Sequence, residues 1–230
     1  MGSILVCDDD KEIVEAISIY LTSEGMDVVK AYDGVEAINV FKANDIDLIL
    51  IDIMMPKLDG IHTIMKLREE HNVPIIVLSA KSEDADKILG LNIGADDYIT
   101  KPFNPLELVA RVKSQLRRYI TFNDAPKADT SDVLSHNGLM IDDKQKLVTL
   151  YDEEIKLTPI EYSILKLFME HPGIVFTSSQ IYENIWDEDA VGTDNIVAVH
   201  IRHIREKIEV NPKEPRFIKV VWGQGYKLEA

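Results

Sequence analysis

The stretch DLILIDIMMPKLDG, Asp47 to Gly60, decides how the chain reads. Leu48, Ile49, Leu50 and Ile51 form a short, unbroken apolar run, the pattern of a strand buried on both faces. The run ends on an ionisable residue, Asp52, and then breaks at Pro56 and Gly60. In an open parallel sheet, ligands sit outside the carboxyl ends of the strands. A carboxylate there is a candidate nucleophile or metal ligand. The plainer alternative is a carboxylate that caps the helix starting after Gly60.

Outward from this run, the first half of the chain repeats one pattern. Ile4 to Cys7 is a strand followed by Asp8, Asp9 and Asp10, and Ile13, Ile17, Tyr20 and Leu21 recur at helical spacing up to Gly25. Val28 to Ala31 reads as a second strand and Val35 to Phe41 as a second helix. After the Asp47–Ile51 strand come a helix through Ile61, Ile64 and Leu67, and a fourth strand, PIIVLSA. Ile88, Leu91 and Ile93 suggest a fourth helix, DDYIT a fifth strand, and Leu106 to Leu116 a fifth helix. Five strands alternating with five helices predict an α/β fold, a five-stranded doubly wound parallel sheet. Asp8, Asp9, Asp52, Ser79 and Lys101 all fall at carboxyl ends of strands and are able to converge on one rim. Crowded carboxylates repel unless a cation joins them, and an all-oxygen, partly hydrated site suits Mg²⁺. A Lys and a Ser hydroxyl on that rim would hold the oxygens of a transferred phosphoryl group. Lys101-Pro102 is a candidate cis peptide.

Length and composition fit a globular chain of one large or two ordinary domains: 230 residues, 46% apolar and 28% charged. No apolar run approaches the roughly 20 residues of a membrane span, and the N-terminus lacks a signal segment. The single cysteine, Cys7, excludes an internal disulfide framework and fits the cytoplasm; it lies in the apolar run ILVC and reads as packing. A net charge of −15 argues against nucleic acid until it is divided along the chain. Residues 1–120 hold 13 basic and 21 acidic side chains, residues 121–194 hold 5 and 15, and residues 195–230 hold 7 and 4. Only the last stretch is basic, and local charge sets contact with phosphates.

Periodicity fades from Tyr119 to Asp132, so residues 121–132 read as a flexible linker between a 1–120 domain and a 133–230 domain. Short strands follow in GLMID, LVTLY and EIKL. Thr158, Pro159 and Glu161 start a helix with a capping box, and Thr177 and Gln180 repeat that spacing for a second. Asn195 to Ile208 is a third helix, and FIKVV and GYKLE flank Gly223-Gln224-Gly225 as a hairpin. This order predicts an α+β winged helix-turn-helix. Its third helix carries His200, Arg202, His203, Arg205 and Lys207, a set suited to a major groove, although Glu206 and Glu209 also fit a solvated face.

ILVCDDD, LILIDIMMPKLDG, IIVLSA and GADDYITKPF together resemble the flavodoxin-like receiver domain of two-component response regulators over residues 3–119. LTPIEYSIL, HIRHIREKI and VVWGQGYKL resemble the OmpR/PhoB-type effector domain, and the last two look most like the vancomycin-resistance-type regulators. The resemblance implies that Asp52 accepts phosphate from a sensor histidine kinase. It implies that Asp9, Asp52 and the Met54 carbonyl bind Mg²⁺, with Asp8 assisting through water. Ser79 and Lys101 would contact the phosphoryl group, and Tyr98 would be an aromatic switch. The protein would be cytoplasmic, would dimerise on phosphorylation, and would act at promoter DNA with RNA polymerase. Its chemistry would be self-phosphorylation and slow self-hydrolysis, without turnover of an outside substrate. The wing position before Gly223, often an Arg reaching the minor groove in that family, is Trp222 here. A two-fold interface is implied at Lys87, Ile88, Leu91, Asp96, Asp97, Glu107, Ala110, Arg111 and Arg118, with Lys87–Glu107, Asp97–Arg111 and Asp96–Arg118 pairing across it. The competing classes are an Asp-nucleophile phosphatase and a receiver that binds a protein partner constitutively.

Overall fold

A computed structural model describes residues 2–80, 93–123, 133–186 and 194–229. The chain divides into two compact units, Met1–Ile120 and Thr121–Ala230. In the first, β1 (Ser3–Cys7), α1 (Lys11–Ser23), β2 (Asp27–Ala31), α2 (Gly34–Ala43), β3 (Leu48–Asp52), α3 (Gly60–Arg68), β4 (Ile75–Ala80), β5 (Asp97–Lys101) and α4 (Pro105–Asn123) follow in order. The strands form one parallel sheet in the order β2-β1-β3-β4-β5. All five residues of β3 are buried, as its unbroken apolar run requires. Ile4, Val6, Leu48, Leu50, Ile76, Leu78 and Ile99 of the strands share one core with Val14 and Ile17 of α1 and Leu108 and Val112 of α4. The predicted helix around Lys87, Ile88 and Leu91 lies outside the described residues.

The cap of α3 separates the two readings of Asp52. Asp59 is its N-cap and accepts from the His62 amide at 2.8 Å. Asp10 and Asp33 do the same for α1 and α2. Capping is therefore complete without Asp52. The last helix of this unit runs to Asn123, into the segment read as linker, because no helix breaker precedes Pro126; residues 124–132 of that segment lie outside the described residues.

Gln115 on α4 is 1% exposed, and among the described residues neither atom of its amide has a hydrogen-bond partner. Burying an amide without partners costs about 1–3 kcal/mol. Gln115→Met keeps the length and removes the amide, so it is expected to stabilise this unit by about 1–2 kcal/mol. Urea unfolding followed by circular dichroism checks it: the midpoint should rise at constant slope.

In the second unit β6 (Val133–His136), β7 (Leu139–Asp142), β8 (Leu147–Leu150) and β9 (Glu153–Glu154) form an antiparallel sheet. Three helices follow, α5 (Pro159–Glu170), α6 (Ser178–Trp186) and α7 (Asp194–Ile208), and then the hairpin β10 (Ile218–Val221) and β11 (Gly225–Leu228). Strand β6 was not expected. Its signal was Asn137-Gly138, a hairpin turn with φ of 49° and 87°. The expected strand EIKL, Glu154 to Leu157, meets β9 only at Glu154, and Ile155 to Leu157 instead lead into the Thr158–Glu161 capping box. Asp143 fixes the β7–β8 turn to α5. Burial would raise its pKa, but bonds from Lys146, Lys166 and the Tyr162 hydroxyl outweigh burial and hold it well below the usual carboxylate range. Its stabilising contribution is thus present above the unfolded carboxylate pKa and lost as pH falls through the folded one. Among the described residues no helix is long and apolar enough to cross a membrane.

Candidate functional site

The sheet order places β1 and β3 side by side at the point where the winding changes direction, which is where open α/β sheets bind ligands. Asp8 follows β1 and Asp52 ends β3, both nearly inaccessible at 0% and 6% exposure. Lys101 ends β5 and reaches both: its Nζ lies 2.5 Å from Asp8 Oδ2 and 2.5 Å from Asp52 Oδ1. The Lys101–Pro102 bond is cis. The other Asp52 oxygen accepts from the Met54 amide at 2.6 Å, and Asp8 Oδ1 accepts from the Asp10 amide at 3.1 Å. Ser79, buried near the end of β4, pairs in register with Thr100. Asp9 is exposed on the same loop as Asp8. Tyr98 sits half-buried at the second residue of β5, paired in register with Val77 and away from the carboxyl rim. Gly60 also belongs to the site, although the sequence marked it only as a breaker. Its amide bonds the Ile53 carbonyl, and a Cβ there would lie 2.1 Å from the Asp52 carbonyl oxygen.

Burial pushes the Asp52 carboxyl above its ordinary pKa, the charge of Asp8 adds to this, and the Lys101 bond only partly offsets them. Burial works against the Lys101 ammonium, but Asp52 and Asp8 outweigh it and its pKa is raised. Two buried carboxylates share one ammonium, so the rim carries an excess of negative charge, and its donors are all oxygen. That chemistry fits a hard divalent cation. Among the described residues no three His, Cys, Asp or Glu side chains are gathered into a metal-binding group, since Lys101 is drawn across Asp8 and Asp52 and Asp9 is exposed.

In the second unit, α7 does not present all five of its basic side chains, and three of the expected contacts need correction. His200 is 2% exposed, with its ring 5.5 Å from that of Trp186, which stacks on Tyr182. It is a core residue, at helical spacing from the buried Ile196 and Ile204. Arg205 donates through Nε and Nη2 to the Ile218 carbonyl at 3.1 and 2.6 Å, tying the helix to the hairpin. His203 is mostly buried, 3.9 Å from Glu161. Lys207 is exposed but bonded to Glu161 at 2.5 Å. Arg202 is exposed and pairs with Glu206 at 2.8 Å, and Trp222 is 90% exposed. Glu161 has a role that the sequence showed only in part. It closes the α5 capping box through the Thr158 amide and also anchors α7.

Several residues expected at an interface in the first unit have partners within their own chain. Asp96 and Asp97 are each 1% exposed. Asp96 accepts from Arg68 and the Ile75 amide, and Asp97 takes Arg111 of its own chain at 2.9 Å. A buried carboxylate needs its partners within the fold, so these acids are internal struts. Arg118 bonds Ser114. Glu107 and Ala110 stay exposed, Glu107 bonding Arg111 at helical spacing. Lys87, Ile88 and Leu91 lie outside the described residues.

Two family models match the chain. Residues 4–113 match the response regulator receiver domain, and residues 152–228 match the C-terminal domain of transcriptional regulatory proteins. The chain is 44% identical to the regulatory protein VanRc of Enterococcus gallinarum over 226 residues, 98% of each chain. It is 42% identical to the alkaline phosphatase synthesis transcriptional regulatory protein PhoP of Bacillus subtilis, covering 98% of this chain and 96% of that one. Among solved structures, a mutant of RitR superimposes with a TM-score of 0.77 at 26% identity, over 100% of this chain and 99% of that one. DrrB of Thermotoga maritima, an OmpR/PhoB homolog, superimposes at 0.52 with 32% identity over the full length of both.

Proposed function

The chain belongs to the response regulators, as a receiver domain joined to a DNA-binding transcriptional-regulatory domain, and from that premise we propose that Asp52 is its phosphoacceptor. The observation that carries this is the convergence of Asp52, Asp8 and Lys101 on one rim while Asp59 does the capping. An Asp52 oxygen attacks phosphorus of a kinase phosphohistidine, an O–P bond forms, and the imidazole leaves with the P–N electron pair. Lys101 moves from pairing two carboxylates to holding phosphoryl oxygens, and the hydroxyl of Ser79, buried near the end of β4, shares that task. Asp8, Asp9, Asp52 and the Met54 carbonyl would hold Mg²⁺, which would supply charge neutralisation. The chemistry stays on the protein's own aspartate, by slow hydrolysis of the acyl phosphate. Pairing of phosphorylated copies, contact with RNA polymerase and a cytoplasmic location belong to the same reading, with Glu107 and Ala110 as the exposed interface residues.

The test uses the whole chain with Mg²⁺ and a small phosphoramidate donor. Intact mass should show one phosphate per chain, slowly lost, and phosphorylation should raise retention of promoter DNA. Steady turnover of the donor would instead favour a phosphatase, and phosphate without any gain in DNA retention would favour a receiver serving a protein partner. On α7, Arg202→Ala is expected to weaken specific DNA binding by about 1–3 kcal/mol. His200→Ala should lower the melting temperature with no change in the salt dependence of binding, as measured by titration at several salt concentrations.

A further inference from the structure

Lys57 stands in a backbone conformation that a residue with a side chain does not favour. Among the described residues of the first unit it is the only non-glycine with a positive φ, 64°. Across it the Leu58 amide donates to the Pro56 carbonyl at 2.8 Å. A three-residue turn closed over a positive φ is the rare and strained kind. The side chain shows what holds it. Lys57 Nζ lies 2.5 Å from Asp33 Oδ2, and the Asp33 side chain is 6% exposed. Each keeps the other charged, lowering the pKa of Asp33 and raising that of Lys57.

Asp33 is itself fixed. Its other oxygen caps α2 through the Glu36 amide at 2.9 Å. The next residue, Gly34, donates to the Leu58 carbonyl at 3.1 Å. A Cβ on Gly34 would lie 2.5 Å from that same oxygen, so the start of α2 is pressed flat against the loop. On the other side of the turn Met55 is 8% exposed, and Cys7 Sγ lies 3.3 Å from its sulfur and 3.5 Å from the Asp33 carbonyl oxygen. The loop between β3 and α3 is thus fastened to the corner formed by β1 and α2. Met54 stands on that loop, 77% exposed, with its amide bonded to Asp52. Where its carbonyl lies depends on how the turn behind it is held.

We propose that Lys57 is a positioning residue for the phosphoacceptor rim: by gripping Asp33 it holds the strained turn that sets where the Met54 carbonyl stands, and so tunes how tightly the rim takes a divalent cation. The inference rests on the reading of that rim as a Mg²⁺ site and adds a residue outside the donor set. Such supporting groups orient a ligand without touching the metal. The sign of the effect separates positioning from plain electrostatics. An ammonium repels a cation, so by charge alone its removal would tighten Mg²⁺ binding. Acting through the turn, its removal should loosen it.

The test is Mg²⁺ binding to the whole unphosphorylated chain, followed by amide chemical shifts. Lys57→Ala should raise the Kd for Mg²⁺ about 10-fold, the lower end for a group that supports a metal ligand. Asp33→Asn keeps the helix cap, since Asn caps as well as Asp, and should raise it by a similar factor. The double variant should lose no more than either alone, because both changes remove one ion pair. Lys57→Arg, which can still pair, should stay near the wild type. With a small phosphoramidate donor, Lys57→Ala should reach the wild-type rate at saturating Mg²⁺, with the half-saturating concentration raised by the same factor as the Kd. The Lys57 side chain is 69% exposed, so its variants are expected to fold. Mg²⁺ bound as tightly or more tightly by Lys57→Ala would overturn the proposal, as would a rate lowered equally at every Mg²⁺ concentration. A wild type that binds no Mg²⁺ would refute the metal reading and this inference with it. A wild type that binds Mg²⁺ while Lys57→Ala is unchanged refutes the inference alone.

Discussion

Asp52→Asn is expected to take up no phosphate under conditions that load the wild type to one phosphate per chain. The amide keeps the shape of the carboxylate but loses the charge that makes it a nucleophile. The fold should persist, because β3 is packed by Leu48 to Ile51 and the following helix is capped by Asp59. The pKa of Asp52 is raised by burial, so folding disfavours its ionised form at neutral pH. That cost disappears as pH falls toward the ordinary carboxylate range, and Asn removes it at all pH values. The variant should therefore be at least as stable as wild type at pH 7. In the metal-free wild type the same shift means that Asp52 takes up its proton at a higher pH than an unperturbed Asp. Intact mass decides the first point, and peptide mapping adds a check: phosphate on Asp8 or Asp9 would move the acceptor off β3.

Gly60→Ala is expected to cost the first unit about 3 kcal/mol and to slow phosphorylation of whatever remains folded. The added Cβ would lie 2.1 Å from the Asp52 carbonyl oxygen and 2.9 Å from Ile53 Cα, both backbone atoms without a side-chain rotation to yield. Relief must come from shifting the acceptor strand end or α3. Both tryptophans lie in the second unit. The loss should thus appear in unfolding followed by circular dichroism and leave the fluorescence-detected transition in place. Equal loss in both signals, or none in either, would contradict this account. Gly223→Ala is the control, with open space around the Cβ and only the penalty of its positive φ, about 1–2 kcal/mol.

The first unit was legible because its signals are local and its site follows from topology. Apolar runs of strand length each end on a polar residue, and a parallel sheet brings such ends together whatever their separation in sequence. The second unit was legible as a set of elements and less so as surfaces. His200 stands four residues from both Ile196 and Ile204, so the helical period placed it inside, whereas its chemical type suggested outside. Arg205 looked like a base reader and instead donates to the Ile218 carbonyl, a partner 13 positions away that no helical period indicates. Asp97 shares a strand face with Ile99, which pointed inward; its charge suggested a surface until Arg111 was found beside it. Burial of a charge depends on a partner from another element, and that partner is visible only once the chain has folded.

The two bonds from Arg205 to Ile218 also have a mechanical consequence. They make helix and hairpin the two fixed jaws of a calliper, whose opening cannot be adjusted to each sequence it meets. If helix and hairpin both meet the duplex, one with grooves already at that spacing would need no bending, while a stiffer or differently twisted one would have to bend to comply. Bending a site of 20–30 base pairs costs on the order of 1–6 kcal/mol and varies with the sequence bent. Base pairs that no side chain touches would then influence affinity, and A·T-rich or easily kinked steps beneath the wing tip should be enriched among the sites selected.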